Sequence, residues 1–259
     1  MSAATLSYWQ SGRSHPTRSR SRELLGPLAD VLDLPHTTFL STGTPQRSPT
    51  PSGAARETLW EHPDVVTGLV ARLGGPPDSA LVRLRQHDRV TVGPDGRERT
   101  MWSRHVMRAA RNDASRLLLI YQSESPSSPP PTVRVLRGGH PGRIVSDSGS
   151  GHTVAELLLD RPLRRGESTV TEYEWEFHPP FPVATFFEQK FRLPVREYIQ
   201  EVRFHPAALP SRCFQQISDS TGGAPHHVRR LRVNAAHSVH AVTMDALPGV
   251  FGLQWTWDA

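Results

Sequence analysis

From residue 81 onward, apolar positions recur in short runs with a period of two, separated by Gly, Pro, Asn and Asp. That pattern predicts strands rather than helices. Leu81–Val92 leads into Pro94-Asp95-Gly96 and then residues 97–109, the signature of a hairpin around an Asp-Gly turn. Further strands are predicted over 117–121, 132–136, 142–147, 153–159, 168–177, 185–193, 198–204, 212–217, 228–233, 238–244 and 249–257. Alternation is clear in 168–177, where Val170, Glu172, Glu174 and Glu176 interleave with Tyr173, Trp175 and Phe177. Such a strand is half buried with one wet face. One helix is predicted over Pro63–Leu73, ended by Gly74-Gly75-Pro76-Pro77. Short strands at roughly even spacing predict a mainly β fold, an antiparallel β-sandwich or barrel.

The first 40 residues read differently. Ser2 can cap a helix over 3–10 that carries Leu6 and Trp9 on one face, stopped by Gly12. Leu24, Leu25, Leu28, Val31 and Leu32 then form an amphipathic stripe. Pro27 fits only in the first turn of that helix. Residues 41–54 (STGTPQRSPTPSGA) hold three prolines among small polar residues, a composition that predicts an extended linker. The expected organisation is a short helical segment (1–40), a linker (41–57) and a β-sandwich domain with one leading helix (58–259). The Pro/Ser/Gly-rich stretches 122–131 and 218–226 are expected to be surface loops.

Charge alters this picture little. The net charge is +5, and all but one of the 30 basic side chains are arginine, Lys190 being the exception. Arginine suits phosphate and carboxylate recognition, but GC-rich coding favours Arg, Ala, Gly and Pro together, and the field over this length is weak. No stretch approaches the roughly 18 apolar residues of a membrane span, and the N-terminus lacks a charged-then-apolar leader. The expectation is a soluble, cytoplasmic chain. One cysteine, Cys213, excludes an intrachain disulfide scaffold and a cysteine-rich zinc module.

At the N-terminus, Ser7, Trp9, Gly12, Arg13, Pro16, Leu28, Ala29, Val31, Leu32, Leu34 and Pro35 follow the order of a hydroxyl–x–Trp–x–x–Gly recognition-helix end, a basic loop and a leucine-rich helix stopped by proline. In this the segment resembles the second half of a Cro/XRE-type (lambda repressor-like) helix-turn-helix domain. The resemblance implies binding to double-stranded DNA, with Thr5, Ser7 and Tyr8 near base edges and Arg13, Arg18 and Arg20 near phosphates. The family's first two helices would precede Met1, so the segment is expected to be a partial domain, its DNA binding retained or lost with the missing half. The larger part loosely resembles the C-terminal regions of actinobacterial regulators, with phrases similar to immunoglobulin-like sandwich edges, which names no activity.

Candidate chemistry is sparse. Gly138-Gly139-His140-Pro141-Gly142 lacks the Lys-Ser/Thr of a phosphate loop and reads as a turn. His226, His227, His237 and His240 cluster in sequence, but on a strand positions 237 and 240 face opposite sides, so no metal site is expected. Glu172, Glu174 and Glu176 read as a solvated row opposed by arginines such as Arg203 or Arg229. Arg212 beside Cys213 can favour a thiolate, although a lone strand cysteine is usually a small buried hydrophobe. Arg97, Arg99, Arg104, Arg108 and Arg111, near Trp102 and Tyr121, raise an arginine–aromatic surface against the plainer reading of a charged sheet edge.

No catalytic residue, cofactor or metal is expected. Two readings stay open. One is a transcriptional-regulator-like DNA-binding protein whose β-domain senses an unidentified small ligand or forms a homodimer. The other is a non-catalytic ligand-binding or protein-interaction sandwich with a vestigial helical end.

Overall fold

In a computed structural model, which describes residues 59–75, 78–123, 128–180 and 182–258, the period-two pattern becomes thirteen strands behind one helix. These residues belong to the unit 51–259. The helical segment, the linker and the DNA-contact candidates Thr5, Ser7, Tyr8, Arg13, Arg18 and Arg20 lie outside the described residues. Helix α1 spans Pro63–Leu73 with Pro63 in its first turn and Gly74 closing it at φ 60°, as proline at the start and glycine past the end favour. The strands are β1 (Leu81–Val92), β2 (Glu98–Ala109), β3 (Ala114–Gln122), β4 (Thr132–Arg137), β5 (His140–Asp147), β6 (His152–Leu163) and β7 (Ser168–Glu176). They continue with β8 (Phe186–Phe191), β9 (Val195–Phe204), β10 (Arg212–Ser218), β11 (His227–Leu231), β12 (Ser238–Ala246) and β13 (Gly249–Thr256).

Six strands form one sheet in the order β12-β9-β1-β2-β7-β4. One of its faces is covered by two smaller sheets, β11-β10-β13-β8 and β3-β6-β5, through a shared core. Met107, Val202 and Phe204 of the large sheet meet Leu117 and Leu157 of the three-stranded sheet and Leu253 and Trp255 of the four-stranded one. The fold is therefore a sandwich whose second layer is split, unlike the single partner sheet of an immunoglobulin-type sandwich. Its pairings are antiparallel except that β1 runs parallel to β9, Arg85 beside Glu197 through Val92 beside Phe204.

Strands β3 and β6 of the three-stranded sheet are buried on both faces, whereas the edge strand β5 is largely exposed. Leu117 and Leu119 point into the sandwich, whereas Leu118 and Val154 pack under Leu69 and Leu73 of α1. That explains the unbroken Leu117-Leu118-Leu119-Ile120 run, since two-sided burial removes alternation. Glu156, on the helix-facing side, is buried and pairs with Arg116 and with Arg143. Arg143 also donates to the Leu73 carbonyl at the last turn of α1. Burial alone would raise the Glu156 pKa, but the two guanidiniums and the Arg143 N–H outweigh it and hold the carboxyl below its usual value.

Among the described residues no helix is long and apolar enough to cross a membrane. Of the stretch 138–142 expected to be a turn, Gly138 and Gly139 form the turn between β4 and β5, and His140–Gly142 begin β5. Gly138 has φ 74° there, and a Cβ would fall 2.1 Å from the Val170 carbonyl oxygen, so glycine is demanded by geometry.

Candidate ligand-binding site

The two small sheets leave a gap. Strand β8 is the edge of one and β3 the edge of the other. Between them opens a slot of about 490 Å³, floored by β1, β2 and β7 of the large sheet. Its walls are aromatic and apolar: Tyr121 stacks near Trp175 and Phe177, at 5.7 and 5.2 Å between ring centroids, with Met101 and Phe187 beside them. That volume and lining match sites for small organic molecules.

At the mouth, Lys190 reaches from β8 to β3. Its Nζ donates to Gln122 Oε1 at 2.9 Å and sits 4.8 Å from the Trp60 ring centre. Gln122 Nε2 donates in turn to Glu61. Burial lowers the Lys190 pKa, with Glu188 and Glu61 opposing. Burial raises that of Glu188. His152, fully buried behind Trp60, is likewise lowered by burial and by the Lys190 charge.

The floor is polar where a sandwich core is ordinarily apolar. Strand register places Asp88 beside Ser103 and Gln200, Gln86 beside His105 and Tyr198, and His105 beside Thr171. All of these side chains are buried. Gln86 Nε2 donates to Asp88 Oδ2 at 2.7 Å, Tyr173 OH lies 3.3 Å from His105 Nε2, and Gln200 Nε2 donates to the Phe187 and Phe251 carbonyls. Six atoms of the same patch have no partner: Asp88 Oδ1, Ser103 Oγ, His105 Nδ1, Thr171 Oγ1, Tyr198 OH and Gln200 Oε1. Buried polar atoms are normally satisfied, because each unmet one costs about 1–3 kcal/mol. Of the patch, Gln86, His105 and Tyr173 line the slot, and His105 Nδ1 is buried there without a hydrogen-bond partner.

Burial dominates the electrostatics here. It raises the Asp88 carboxyl to about 6, opposed by the nearby Ser103 hydroxyl, the Gln86 amide and the Tyr198 hydroxyl, which favour the ionised form. It lowers His105 to about 3, helped by the nearby Arg83 charge, so the imidazole is neutral. Burial also raises Tyr173 and Tyr198, which keeps both phenols protonated. The floor thus offers a neutral imidazole and two protonated phenols beside the Asp88 carboxyl, which ionises as pH rises through about 6. Ser103, His105 and Asp88 do not form a nucleophile–base–acid relay: His105 Nε2 faces Tyr173, and Ser103 is wholly buried.

The residues singled out by sequence fall elsewhere. Glu172, Glu174 and Glu176 lie on the outer face of the large sheet, but their partners are Arg104, Arg134 and Arg137. Arg203 instead pairs with Glu201 on its own strand, and Arg229 lies on β11 in a different sheet. The arginine–aromatic surface is not assembled: Trp102 stacks with Arg89 and His87 on the outer face, while Tyr121 lines the slot. Arg97 and Arg99 fold back on Asp95. Burial pushes the Cys213 thiol up to about 11, against a thiolate. His240 is exposed on β12 and His237 sits in the preceding turn at φ 56°; among the described residues no group of three or more His, Cys, Asp or Glu side chains could hold a metal.

No family model and no curated relative matches the sequence. Among solved structures, a proposed protease from Parabacteroides distasonis is similar at 10% identity over 68% of this chain and 40% of that one, with a TM-score of 0.45. An M1 zinc metallopeptidase from Deinococcus radiodurans bound to a Tyr-Ser-Ala substrate is similar at 13% identity over 68% and 42%, with a TM-score of 0.39. The chain spans about two-fifths of the length of these structures. Likeness at this level carries nothing about activity.

Proposed function

We propose that this chain is a cytoplasmic, regulator-like DNA-binding protein, and that its β-domain is a non-catalytic sensor for a small amphipathic molecule. The carrying observation is His105, a neutral side chain that lines an aromatic-walled slot and keeps a buried, unpartnered Nδ1. A core would be more stable without that atom, so its presence supports a bound partner. The aromatic walls suit a flat apolar body, and Gln86, His105 and Tyr173 on the floor suit a hydroxyl or carbonyl end. The DNA-binding half of the reading rests on the spacing of Ser7, Trp9, Gly12 and Arg13 before the leucine-rich helix. Homodimerisation through the β-domain is compatible with it, as half-site pairing in this class of regulator favours two-fold symmetry.

Two measurements test the halves separately. The first is titration of the full chain with 2-naphthalenemethanol, read by quenching of Trp60 and Trp175. His105→Phe should weaken binding roughly tenfold through one lost hydrogen bond, while leaving the fold as stable as before or more so. Equal affinity in wild type and variant would remove the slot's polar floor from the reading. The second is selection of duplex DNA on the full chain followed by gel shift. Binding should be lost when Tyr8→Ala and Arg13→Ala are combined. Retention of ligand binding with no selected duplex would leave the other reading, a ligand-binding sandwich with a vestigial helical end.

A further inference from the structure

In a chain where 29 of 30 basic residues are arginine, the one lysine stands at the mouth of the slot. The bias toward arginine operates everywhere on the surface. A position that keeps lysine under that bias calls for something arginine lacks. Arginine supplies charge and a planar fork but never a free amine, whereas lysine can lose its proton and act as a nucleophile. Resting on the reading of the slot as a ligand site, we propose that Lys190 captures an aromatic aldehyde as an imine.

The surroundings of Nζ fit that role. Its contacts are the Gln122 amide oxygen and the Trp60 ring face, both of which favour the ammonium more weakly than a carboxylate pair would. Strand β8 holds the side chain at the slot edge against the Trp60 ring, and Tyr121 and Trp175 line the slot from the sandwich-core side of β3. The charged groups facing it are Glu188 on its own strand, Glu61 before α1, and His152 on β6 with His62 nearby. Burial outweighs the two carboxylates and favours the neutral amine. An aldehyde stacked on the aromatic wall places its carbonyl carbon at the mouth, where Nζ forms a C–N bond. The carbonyl oxygen leaves as water with the two amine hydrogens, so the capture needs no oxidant, reductant or metal. It reverses by the same path, which suits sensing rather than turnover.

The full chain, incubated with 2-naphthaldehyde and sodium cyanoborohydride at pH 7.5, should gain one reduced adduct that peptide mapping places on Lys190. The rate should exceed that of Nα-acetyl-lysine amide, because burial favours the free amine and the aromatic wall holds the aldehyde beside it. Excess 2-naphthalenemethanol should slow it in proportion to slot occupancy. Lys190→Arg, which cannot form an imine, should abolish the adduct. Labelling confined to the α-amino group, a Lys190 rate equal to the free control, or no slowing by the alcohol would overturn the capture. If the alcohol binds while Lys190 stays unmodified, the slot stands and the imine falls. If the alcohol does not bind at all, the slot reading falls with it.

Discussion

The two faces of the six-stranded sheet are built from the same strands and obey opposite rules. On the outer face, acid and base alternate across neighbouring strands: Arg134 with Glu174 and Glu176, Arg104 with Glu172, Arg85 with Glu197, and His87 with Glu201. Each group is paired and none is fully buried. One residue further along each strand, on the inner face, polar groups are dry and six of their atoms have no partner. A sheet can carry many charges on the wet face at little cost because water screens whatever geometry leaves undone. It can carry few polar atoms on the dry face, so those that persist there mark a site or a strain. The outer face is an ordinary solvated surface, and the inner patch is the place to look for function.

The largest effect that tests this contrast is removal of an indole from each face. Trp175 is buried in the main core, whereas Trp102 lies outside, covered by Arg89 and His87. Trp175→Ala should cost about 3–5 kcal/mol in urea unfolding, as core aromatic deletions do. Trp102→Ala should cost about 1 kcal/mol or less, the scale of an exposed cation–π contact. Equal losses would mean the outer face is covered in solution and is not a wet surface at all.

Next comes the pH dependence of the inner patch. The folded-state pKa of Asp88 is raised to about 6 from 3.8, so the fold prefers its protonated form. That preference stabilises fully below pH 4 and is lost as pH rises through 6. Wild-type stability relative to Asp88→Asn should therefore fall by about 2–3 kcal/mol between pH 4 and 7.5. His105 runs the other way: its folded pKa is lowered to about 3 from 6.5, so the stability from keeping it neutral is present above 6.5 and drains as pH falls toward 3. Between 4 and 6 the two slopes oppose, and urea midpoints of the two single variants should diverge across that window. A flat difference for Asp88→Asn would show its carboxyl to be solvated.

The contrast also explains what could be read in advance. Every strand and the helix were legible, because alternation in residues such as Tyr173, Glu174 and Trp175 is a local signal. Two-sided burial at Leu117–Leu119 still read as a strand through its short length. The parallel pairing of β1 with β9 and the split second layer were not legible, since both depend on contacts across more than a hundred residues. The expected partners of the glutamate row were misassigned for the same reason. The slot draws on Trp60, Gln86, His105, Gln122, Tyr173 and Lys190, six positions on separate stretches of chain. A partial signal existed in β2, where Ser103 and His105 hold the inward phase set by Met101 and Met107. Lys190 was visible as the only lysine, but nothing local placed it at an opening.

The smallest effect tests the outer face on its own terms. Glu174 pairs with Arg134 at 3.5 Å, and the arginine is mostly exposed. Arg134 also holds Glu176 at 3.2 Å, so Glu174→Gln leaves the guanidinium a second carboxylate. The change should cost about 0.2–1 kcal/mol at low salt. It should shrink further in 1 M NaCl, where the screening length falls to about 3 Å. A loss that is larger, and indifferent to salt, would place Glu174 in a dry environment. That result would erase the distinction between the faces, because a buried acidic row opposite the slot would then carry the same functional weight as Asp88 and His105. A small, salt-sensitive loss keeps the asymmetry and leaves the inner patch as the part of the sheet whose polarity packing alone does not explain.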